Sequence, residues 1–281
     1  MSDYTDIEVE IEDPVALIKL NRPDKLNAFT YHTLGEIRSA IDAASIDPRV
    51  VGIIITGNGR GFSAGLDSQV LAEVTSRDTP AEPTPVDSDE LPGLFSYLLQ
   101  VPKPVIAAVN GVAAGGGLIL ALMSDLRIAS RDASFVTIFL KRGLIAEHGS
   151  SWLLPRLVGT GRALDLLWMS DRIDAETAHS IGLVEHLADP DQLLDTARDY
   201  VTRLAQTSAP AAIAETKRLV YRHLGTNYTE ALREAEVSQN RFVTSADARE
   251  GAAALLEKRA PKFKRLGESP GASLGESPGE D

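Results

Sequence analysis

Twice along this chain an apolar run leads directly into a glycine-rich loop. The run VVGIIIT at 50–56 precedes GNGRGFSAGLD, and the run PVIAAVNG at 104–111 precedes VAAGGGLILALMSD. An apolar run without alternation is typical of a strand buried on both faces, as in parallel sheets. Parallel strands need a crossover element between them, which is usually a helix. The pattern therefore predicts an α/β fold in which glycine loops follow the ends of buried strands.

Patterns around these two segments complete the expected secondary structure. Residues 6–20 alternate apolar and polar side chains about an Asp-Pro turn, which predicts a β-hairpin. Apolar residues recur at helical spacing from Tyr31 to Ala44, and LRIAS at 126–130 predicts a further strand. Other helices are expected at 93–99, 149–157, 160–169, 174–181, 191–206, 210–224, 228–243 and 246–260.

Composition excludes several classes of protein. The chain has 281 residues and no cysteine, so disulfides and thiolate catalysis are excluded. Its net charge of −12 argues against a nucleic-acid partner. No apolar run reaches the roughly 18–20 residues of a membrane helix, and the acidic N-terminus does not resemble a signal peptide. We therefore expect a cytoplasmic protein without a membrane partner, and the spacing of its acids and histidines predicts no metal site.

The glycine loops favour one kind of chemistry. Gly115, Gly116 and Gly117 run straight into a predicted helix, whose first N–H groups are unpaired and favour negative charge. Glycine lets a ligand approach the backbone closely. If this loop meets the earlier loop at 61–67, two N–H donors can stabilise one developing oxyanion. Dinucleotide and P-loop sites lack their defining residues here.

The order of the motifs resembles the crotonase (enoyl-CoA hydratase/isomerase) superfamily. The resemblance covers about residues 5–265 and rests on several segments in the family's order. These segments are NRPDKLNAF at 21–29, GRGFSAGLD at 59–67, PKPVIAAVNGVAAGGGLILALMSDLRIAS at 102–130, GLIAEHGSSWLLPRLVG at 143–159, GLVEHL at 182–187 and EGAAALLEKRAPKF at 250–263.

The resemblance implies an α/β fold, a crotonase-like spiral of ββα units with a helical C-terminal trimerisation region. We expect residues 1–200 to form the core with the CoA and oxyanion site, and 201–265 to form the helical oligomerisation region. The repeated LGESPG predicts a disordered tail at 266–281. Residues 72–92 are polar and rich in proline, and we interpret them as a mobile surface loop and candidate substrate lid.

The resemblance also implies a substrate, an assembly and a set of site residues. The substrate is an acyl-CoA, no separate cofactor is needed, and the chain forms a homo-trimer or a hexamer. The oxyanion donors are the N–H groups of Leu66 and Gly116. The CoA ester is expected to contact Lys25, Leu26, Ala64, Gly65, Asp67, Gly117, Lys258 and Phe263, the last two sometimes from a neighbouring subunit.

Where family hydratases carry two catalytic glutamates, this chain has Ile119 and Phe139, which cannot transfer protons. A different acid, Glu147, matches the position of the catalytic acid in several family isomerases and in a dehalogenase. Ile119, Phe139 and Trp152 are expected to surround it and the acyl group. The alternative interpretation is that Glu147 caps the helix that starts near Gly149.

The residues therefore leave three functions open. The leading hypothesis is double-bond isomerisation of an enoyl-CoA, with Glu147 as acid and base. An alternative is hydration or CoA-ester hydrolysis by Glu147 together with His148, which titrates near neutrality. The third is a non-catalytic acyl-CoA binder that has lost both glutamates. Neither Ser63 nor Ser150 lies in a GxSxG motif, so a serine nucleophile has little support.

Overall fold

The computed structural model describes residues 4–76 and 91–267. Its strands are β1 (Ile7–Glu12), β2 (Val15–Leu20), β3 (Gly52–Gly57), β4 (Gly61–Ser63), β5 (Val105–Val109), β6 (Val112–Ala114), β7 (Leu126–Ser130), β8 (Ser134–Val136), β9 (Ile173–Asp174) and β10 (His186–Ala188). Its α-helices are α1 (Tyr31–Ile46), α2 (Ser68–Thr75), α3 (Gly116–Met123), α4 (Ser150–Val158), α5 (Thr160–Met169), α6 (Ala175–Ser180), α7 (Leu193–Thr207), α8 (Pro210–His223), α9 (Tyr228–Val243) and α10 (Ala246–Glu257). Short 3-10 helices lie at Pro23–Lys25, Ser96–Gln100 and Leu140–Arg142.

The strands form two sheets, and from β3 to β8 successive strands alternate between them. The larger sheet has the order β1-β2-β3-β5-β7-β10, in which only β1 and β2 are antiparallel. The smaller sheet has the order β4-β6-β8-β9, with β4, β6 and β8 parallel. From β3 to β8, each turn of the chain adds one strand to each sheet. This is the predicted spiral of ββα units, and the hairpin at its start is confirmed.

Both faces of the larger sheet are covered, which explains its apolar strands. On β3, Ile53 and Ile55 face the core cluster that contains α1 and α3, whereas Ile54 faces a second cluster with α7. Val201 of α7 packs so closely that a Cβ on Gly52 would lie 2.8 Å from its Cγ2. All three isoleucines are fully buried. The uninterrupted run of apolar residues is therefore the signature of a strand between two helical layers.

The structure departs from the predicted helices and strands in short segments. Strands β4, β6 and β8 have three residues each, which is too few for a periodic pattern, and β4 and β6 lie in segments predicted to be glycine-rich loops. The helix expected at 93–99 is a 3-10 helix over Ser96–Gln100, and β10 lies where no strand was predicted. Helix α10 ends before Lys258, which adopts a left-handed conformation, rather than at 260.

The last three helices extend from the spiral, and α8 joins them to it. Lys217 on α8 donates to Asp125 Oδ2 (2.7 Å), to Leu98 O (2.9 Å) and to Lys103 O (3.1 Å). Tyr221, one turn later, donates to the other oxygen of Asp125 at 2.9 Å. The predicted division at residue 200 remains a prediction, and α7 runs across it.

Two predicted segments fall mainly outside the described residues. The lid at 72–92 includes 77–90, and the tail at 266–281 includes 268–281. Within the described ranges, no helix combines the length and apolar character needed to cross a membrane.

Candidate active site

The first glycine loop leaves β4 and is held by a buried hydroxyl. Ser63 is fully buried, and its Oγ donates to Asn27 O (2.8 Å) and accepts from Gly65 N (3.1 Å). This hydroxyl is committed to the loop, which agrees with the absence of a nucleophile motif. Gly65 has a φ of +88°, a conformation that L side chains rarely adopt. The loop therefore depends on glycine at this position.

The second glycine loop packs backbone to backbone against the first. A Cβ on Gly117 would lie 2.2 Å from Ser63 O, and a Cβ on Gly65 would lie 2.7 Å from Gly116 N. Such distances leave no room for any side chain. The glycines thus allow the start of α3 to lie directly beside the first loop.

This packing brings the two predicted oxyanion donors together. A Cβ placed on Gly116 would lie 3.5 Å from Leu66 N, so the two amides border the same small space. Gly116 is the first residue of α3, and its N–H has no acceptor within the helix. Among the described residues, neither amide donates a hydrogen bond to another group. Two unpaired N–H groups at a helix N-terminus favour a developing negative charge.

Asp67 closes the first loop and links it to the segment at 21–29. Its carboxylate accepts from Gln69 N at 3.1 Å and so caps α2. The same carboxylate lies 3.4 Å from the guanidinium of Arg22, which also donates to Ala28 O. Through these contacts Asp67 orients the first loop. Its contact with ligand stays a prediction.

The predicted CoA-contacting residues border this junction. Ala64 N donates to Leu26 O at 2.8 Å, and Phe29 pairs with Leu66 through an isolated bridge between the two segments. Leu26 is half-buried, and exposed Lys25 ends the 3-10 helix before it. Lys25 therefore places a cation at the surface beside the two loops.

Two residues in this junction were not singled out by the sequence analysis. Asn27 is buried, and its amide donates to Asn58 O and Gly61 O while its Oδ1 accepts from Arg22 N. Arg22 joins Asp67 across 45 positions of sequence. Both residues lie inside the quoted motif at 21–29, so the motif was the available signal. Nothing in their local pattern indicated these partners.

The two positions that the resemblance matches to the hydratase glutamates are apolar and buried. Ile119 lies within α3 and is fully buried in the main core. Phe139 is 5% exposed, and its ring approaches to 4.0 Å of a Cβ placed on Gly115. The phenyl ring therefore lies beside the second glycine loop. Neither side chain offers a proton at that point.

Glu147 offers a carboxylate that no helix uses as a cap. Helix α4 has Gly149 as its N-cap without a side-chain bond, and Ser150 Oγ donates to the main-chain oxygen of Glu147 at 2.8 Å. The carboxylate lies 3.9 Å from Nε2 of His148, and its side chain is 32% exposed. The capping interpretation of Glu147 is therefore not supported by its contacts.

His148 occupies a constrained position next to this acid. Its φ is +50°, a left-handed conformation that costs energy for a residue with a side chain. A Cβ on Gly93 would lie 3.5 Å from its Cα, so the preceding segment packs against it. Burial lowers the pKa of His148, and the carboxylate of Glu147 opposes this effect. The imidazole is therefore neutral near pH 7.

Trp152 lies on α4, and the two C-terminal candidates, Lys258 and Phe263, lie at and beyond the end of α10. Trp152 is half-buried on α4, with the guanidinium of Arg156 over its ring at 4.0 Å. Lys258 is exposed at the end of α10, and the ring of Phe263 lies 3.7 Å from a Cβ placed on Gly251. Within the described parts of the chain, no hydrogen bond or ion pair joins Lys258 or Phe263 to the glycine loops. The same residues contain no group of three or more acids and histidines arranged to hold a metal.

Comparisons with known proteins agree with this geometry. A family model described as enoyl-CoA hydratase/isomerase matches residues 10–266. The chain is 37% identical over 254 residues to 1,2-epoxyphenylacetyl-CoA isomerase of Escherichia coli (strain K12), which covers 90% of this chain and 96% of that protein. It is 36% identical to crotonyl-CoA hydratase of Syntrophomonas wolfei, over 92% of this chain and 98% of that one.

A solved structure shows the same architecture. The enoyl-CoA hydratase subunit I of Geobacillus kaustophilus superposes with a TM-score of 0.82 at 34% identity, over 95% of this chain and all of that one. The likeness therefore includes both sheets and the C-terminal helices. With two converging amide donors in the expected loops and likeness over nearly its full length, the chain belongs to the enoyl-CoA hydratase/isomerase family of enzymes.

Proposed function

We propose that this enzyme isomerises the double bond of an enoyl-CoA, with Glu147 as the single acid and base. The proposal is supported by two unpaired amide donors that border one space and by the carboxylate of Glu147, which caps no described helix. Leu66 N and Gly116 N border one space, whereas the hydratase glutamate positions hold Ile119 and Phe139. One base suffices for isomerisation, because the same carboxylate removes a proton from one carbon and delivers a proton to another.

In the proposed reaction, the thioester oxygen accepts from Leu66 N and Gly116 N. Glu147 removes a proton from C2 of a 3-enoyl-CoA, and the electron pair spreads over the thioester as a dienolate. The protonated Glu147 then delivers the proton to C4, which leaves a 2-enoyl-CoA of the same mass. The reaction uses no cofactor beyond the CoA of the substrate. Lys25 is proposed to contact that CoA from the edge of the first loop.

The names of the relatives include both isomerases and hydratases. The name of the Escherichia coli relative describes an isomerase, and that of the Syntrophomonas wolfei relative describes a hydratase. An isomerase needs one carboxylate here, and a family hydratase needs two. The buried apolar side chains of Ile119 and Phe139 favour the first.

A second candidate is addition of water by Glu147 and His148 together. The distance of 3.9 Å between Glu147 Oε2 and His148 Nε2 favours it, since one water molecule can bridge two such groups. A neutral imidazole can accept a proton from that water. The product of this reaction is heavier by one water molecule. Product mass therefore separates the two candidates.

The test is turnover of 3-enoyl-CoA and 2-enoyl-CoA esters in deuterated water by the wild type and by Glu147→Gln. We expect an isomer of unchanged covalent formula, apart from exchanged deuterium, and a loss of about 100- to 10,000-fold in kcat for Glu147→Gln. The matched control is Glu8→Gln, an exposed carboxylate on β1, which should keep full activity. Full turnover by Glu147→Gln would overturn the proposal, and a product that has gained water would favour the second candidate.

We also propose that the C-terminal helices associate with further copies of the chain, as a trimer or a hexamer. Exposed apolar side chains on these helices support this, among them Tyr228, Val237 and Leu256. Large exposed apolar surfaces on a soluble chain mark protein contacts. Association would also allow Lys258 and Phe263 to reach the CoA of a neighbouring subunit. Sedimentation equilibrium of the purified protein tests the assembly, and a monomer at micromolar concentration would reject it.

A further inference from the structure

The tail at 266–281 is the part of the chain that the proposed chemistry does not use. The family model ends at residue 266, so the tail lies almost wholly beyond the match. It contains two copies of LGESPG, and its two large apolar side chains, Leu266 and Leu274, each begin a copy. It carries no base and four acids, which are Glu268, Glu276, Glu280 and Asp281. The tail therefore combines negative charge with two widely spaced leucines.

The described chain leads this tail to a large cavity between the spiral and the C-terminal helices. The cavity has a volume of about 1010 Å³ and is bounded by residues 91–102, by the ends of α3 and α4 that face them, and by α8 and α9. Leu266 is half-buried and belongs to its wall. Arg265, the residue before it, is held by Asp13 at 2.9 Å. The tail therefore continues from a fixed point on the cavity wall.

The cavity offers an apolar surface to a leucine side chain. Leu99, Met123, Trp152 and Phe242 belong to its wall together with Leu266. Cavities that bind organic groups have roughly 300–1,000 Å³ and are lined mostly by apolar side chains. The leucine of the first LGESPG copy contributes to the wall, and the volume leaves room for the leucine of the second.

The wall of the cavity is also net positive. Its charged side chains are four cations and one acid, namely Lys217, Arg218, Arg222, Arg241 and Glu215. Two acids outside the wall neutralise part of this charge, since Asp125 pairs with Lys217 and Glu234 pairs with Arg218. The remaining positive charge is complementary to the four acids of the tail.

Two of these cations keep N–H donors for a further carboxylate. Within the described chain, Arg222 donates only from Nε, to Glu234 at 2.7 Å, and Arg241 approaches only Glu215, at 3.2 Å. A guanidinium has five N–H groups, so most of those on Arg222 and Arg241 have no acceptor. Their side chains are 61% and 68% exposed, which leaves them accessible to an acidic segment.

We propose that the tail at 266–281 folds back into this cavity, with Leu274 against the apolar wall and the acids of the tail at Arg222 and Arg241. Leu274 follows Leu266 by eight residues, which span up to roughly 26 Å at ~3.3 Å per residue. A segment tethered in this way has an effective concentration of about millimolar, so that weak contacts suffice to hold it. The tail is then a plug, and any ligand that enters the cavity must displace it.

The test is energy transfer from Trp152 to the tail in the full-length chain. The sequence has two tryptophans and no cysteine, and Trp168 is exposed on α5 outside the cavity wall. Trp168→Phe therefore leaves one donor, and Ser277→Cys provides one site for a dansyl acceptor. We expect efficient transfer at low salt that falls as the salt concentration is raised, because salt screens exposed charges. Transfer that does not respond to salt, whether high or low, would overturn the proposal.

Two matched pairs of variants in this labelled protein locate the contacts. Leu274→Ser should lower the equilibrium constant for docking by at least about 10-fold, whereas Ala272→Ser should not change it. Arg241→Gln should lower it by about two- to fivefold. Arg233→Gln removes an exposed cation of the same helix outside the cavity wall and should leave it unchanged. Equal effects within either pair would overturn the proposal.

A final comparison separates the chain's own tail from that of a neighbouring copy. The labelled chain is coexpressed with an excess of a chain that carries Trp152→Phe and Trp168→Phe and has no cysteine. Transfer within one chain keeps its efficiency per donor, which is the expected result. A fall in efficiency would show that the tail enters the cavity of another copy and would overturn the proposal. None of these measurements uses turnover, so their outcome is independent of the proposed function.

Discussion

The central strands of the ββα spiral and the C-terminal helices differ in how far their apolar side chains are buried. In the spiral, β3 and β5 are buried along their whole length between two helical layers. On α9 and α10, Tyr228 is 80% exposed and Leu256 is 84% exposed. The central strands of the spiral are therefore buried within one chain, whereas α9 and α10 present apolar side chains to their surroundings. We therefore place the proposed chemistry in the spiral and the proposed assembly on the C-terminal helices.

The largest effect is expected from a change that separates the two glycine loops of the spiral. A Cβ on Gly65 would lie 2.6 Å from Ala114 O and 2.7 Å from Gly116 N, so Gly65→Ala must move the second loop. We expect kcat to fall by about 100- to 1,000-fold, as when one oxyanion donor is removed. Steady-state kinetics with the best enoyl-CoA ester measures this.

The control for that change is Gly143→Ala. Gly143 also has a positive φ, of +72°, but nothing lies within 4 Å of a Cβ placed there. This variant should lose roughly 1–2 kcal/mol of stability through backbone strain and little activity. If both variants keep activity equally, the close approach of the loops does not serve catalysis.

The next largest effect is a loss of stability where α8 attaches to the spiral. Lys217→Met removes three hydrogen bonds and leaves the carboxylate of Asp125, which is largely buried, without its cation. Removing one partner of such a pair costs about 3–5 kcal/mol of unfolding free energy. Hydrogen exchange should show the amides of α8 exposed before those of β3. Lys264→Met, at an exposed lysine, should leave both measurements unchanged.

A smaller loss of stability is expected when the pH is lowered. The hydrogen bonds from Arg218 and then from Ser238 lower the pKa of Glu215 to about 2. Because this folded-state pKa lies below the ordinary value of 4.5, its contribution to stability is present above pH ~4.5 and is lost as the pH falls toward 2. Since Arg218 is partly exposed, we expect a loss of only about 1–2 kcal/mol.

Urea unfolding at pH 7 and pH 3 measures this contribution. Glu215→Gln should be less stable than the wild type at pH 7 and should differ less from it at pH 3. The control Glu8→Gln should follow the wild type at both values. A constant difference between Glu215→Gln and the wild type would show that this junction does not respond to acid.

The smallest change in stability is expected at the exposed apolar surface. Leu256→Ser on α10 and Ile46→Ser at the end of α1 both replace side chains that are more than three-quarters exposed, at 84% and 78%. In the monomer, each should alter the unfolding free energy by no more than about 0.5 kcal/mol. Sedimentation equilibrium should show weaker association only for Leu256→Ser. Equal association of both variants would contradict the assignment of assembly to the helices.

Much of the fold followed from local patterns. The hairpin at 6–20, the helix from Tyr31 and the long helices α7, α8 and α9 were predicted because their periodicities extend over many residues. Strands β4, β6 and β8 were not predicted, since three residues show no period and pair only with partners from other turns of the spiral. The second sheet therefore became visible only in three dimensions.

The candidate site likewise has some features that could be predicted from the sequence and others that could not. The glycine loops and the replacement of two glutamates by Ile119 and Phe139 were evident from the motifs. The roles of Arg22, Asn27 and Ser63 in holding the loops were not, because their partners are distant in sequence or belong to the backbone.

The sequence by itself determined which strands are buried on both faces, where the two loops are rich in glycine, and that Ile119 and Phe139 are not acids, since these depend on the residue at each position. Only the tertiary structure decided that Leu66 N and Gly116 N border one space. It also decided that Arg22 meets Asp67 and that α8 and α9 enclose a cavity with residues 91–102. These contacts join distant parts of the chain, and sheet register and helix packing bring them together.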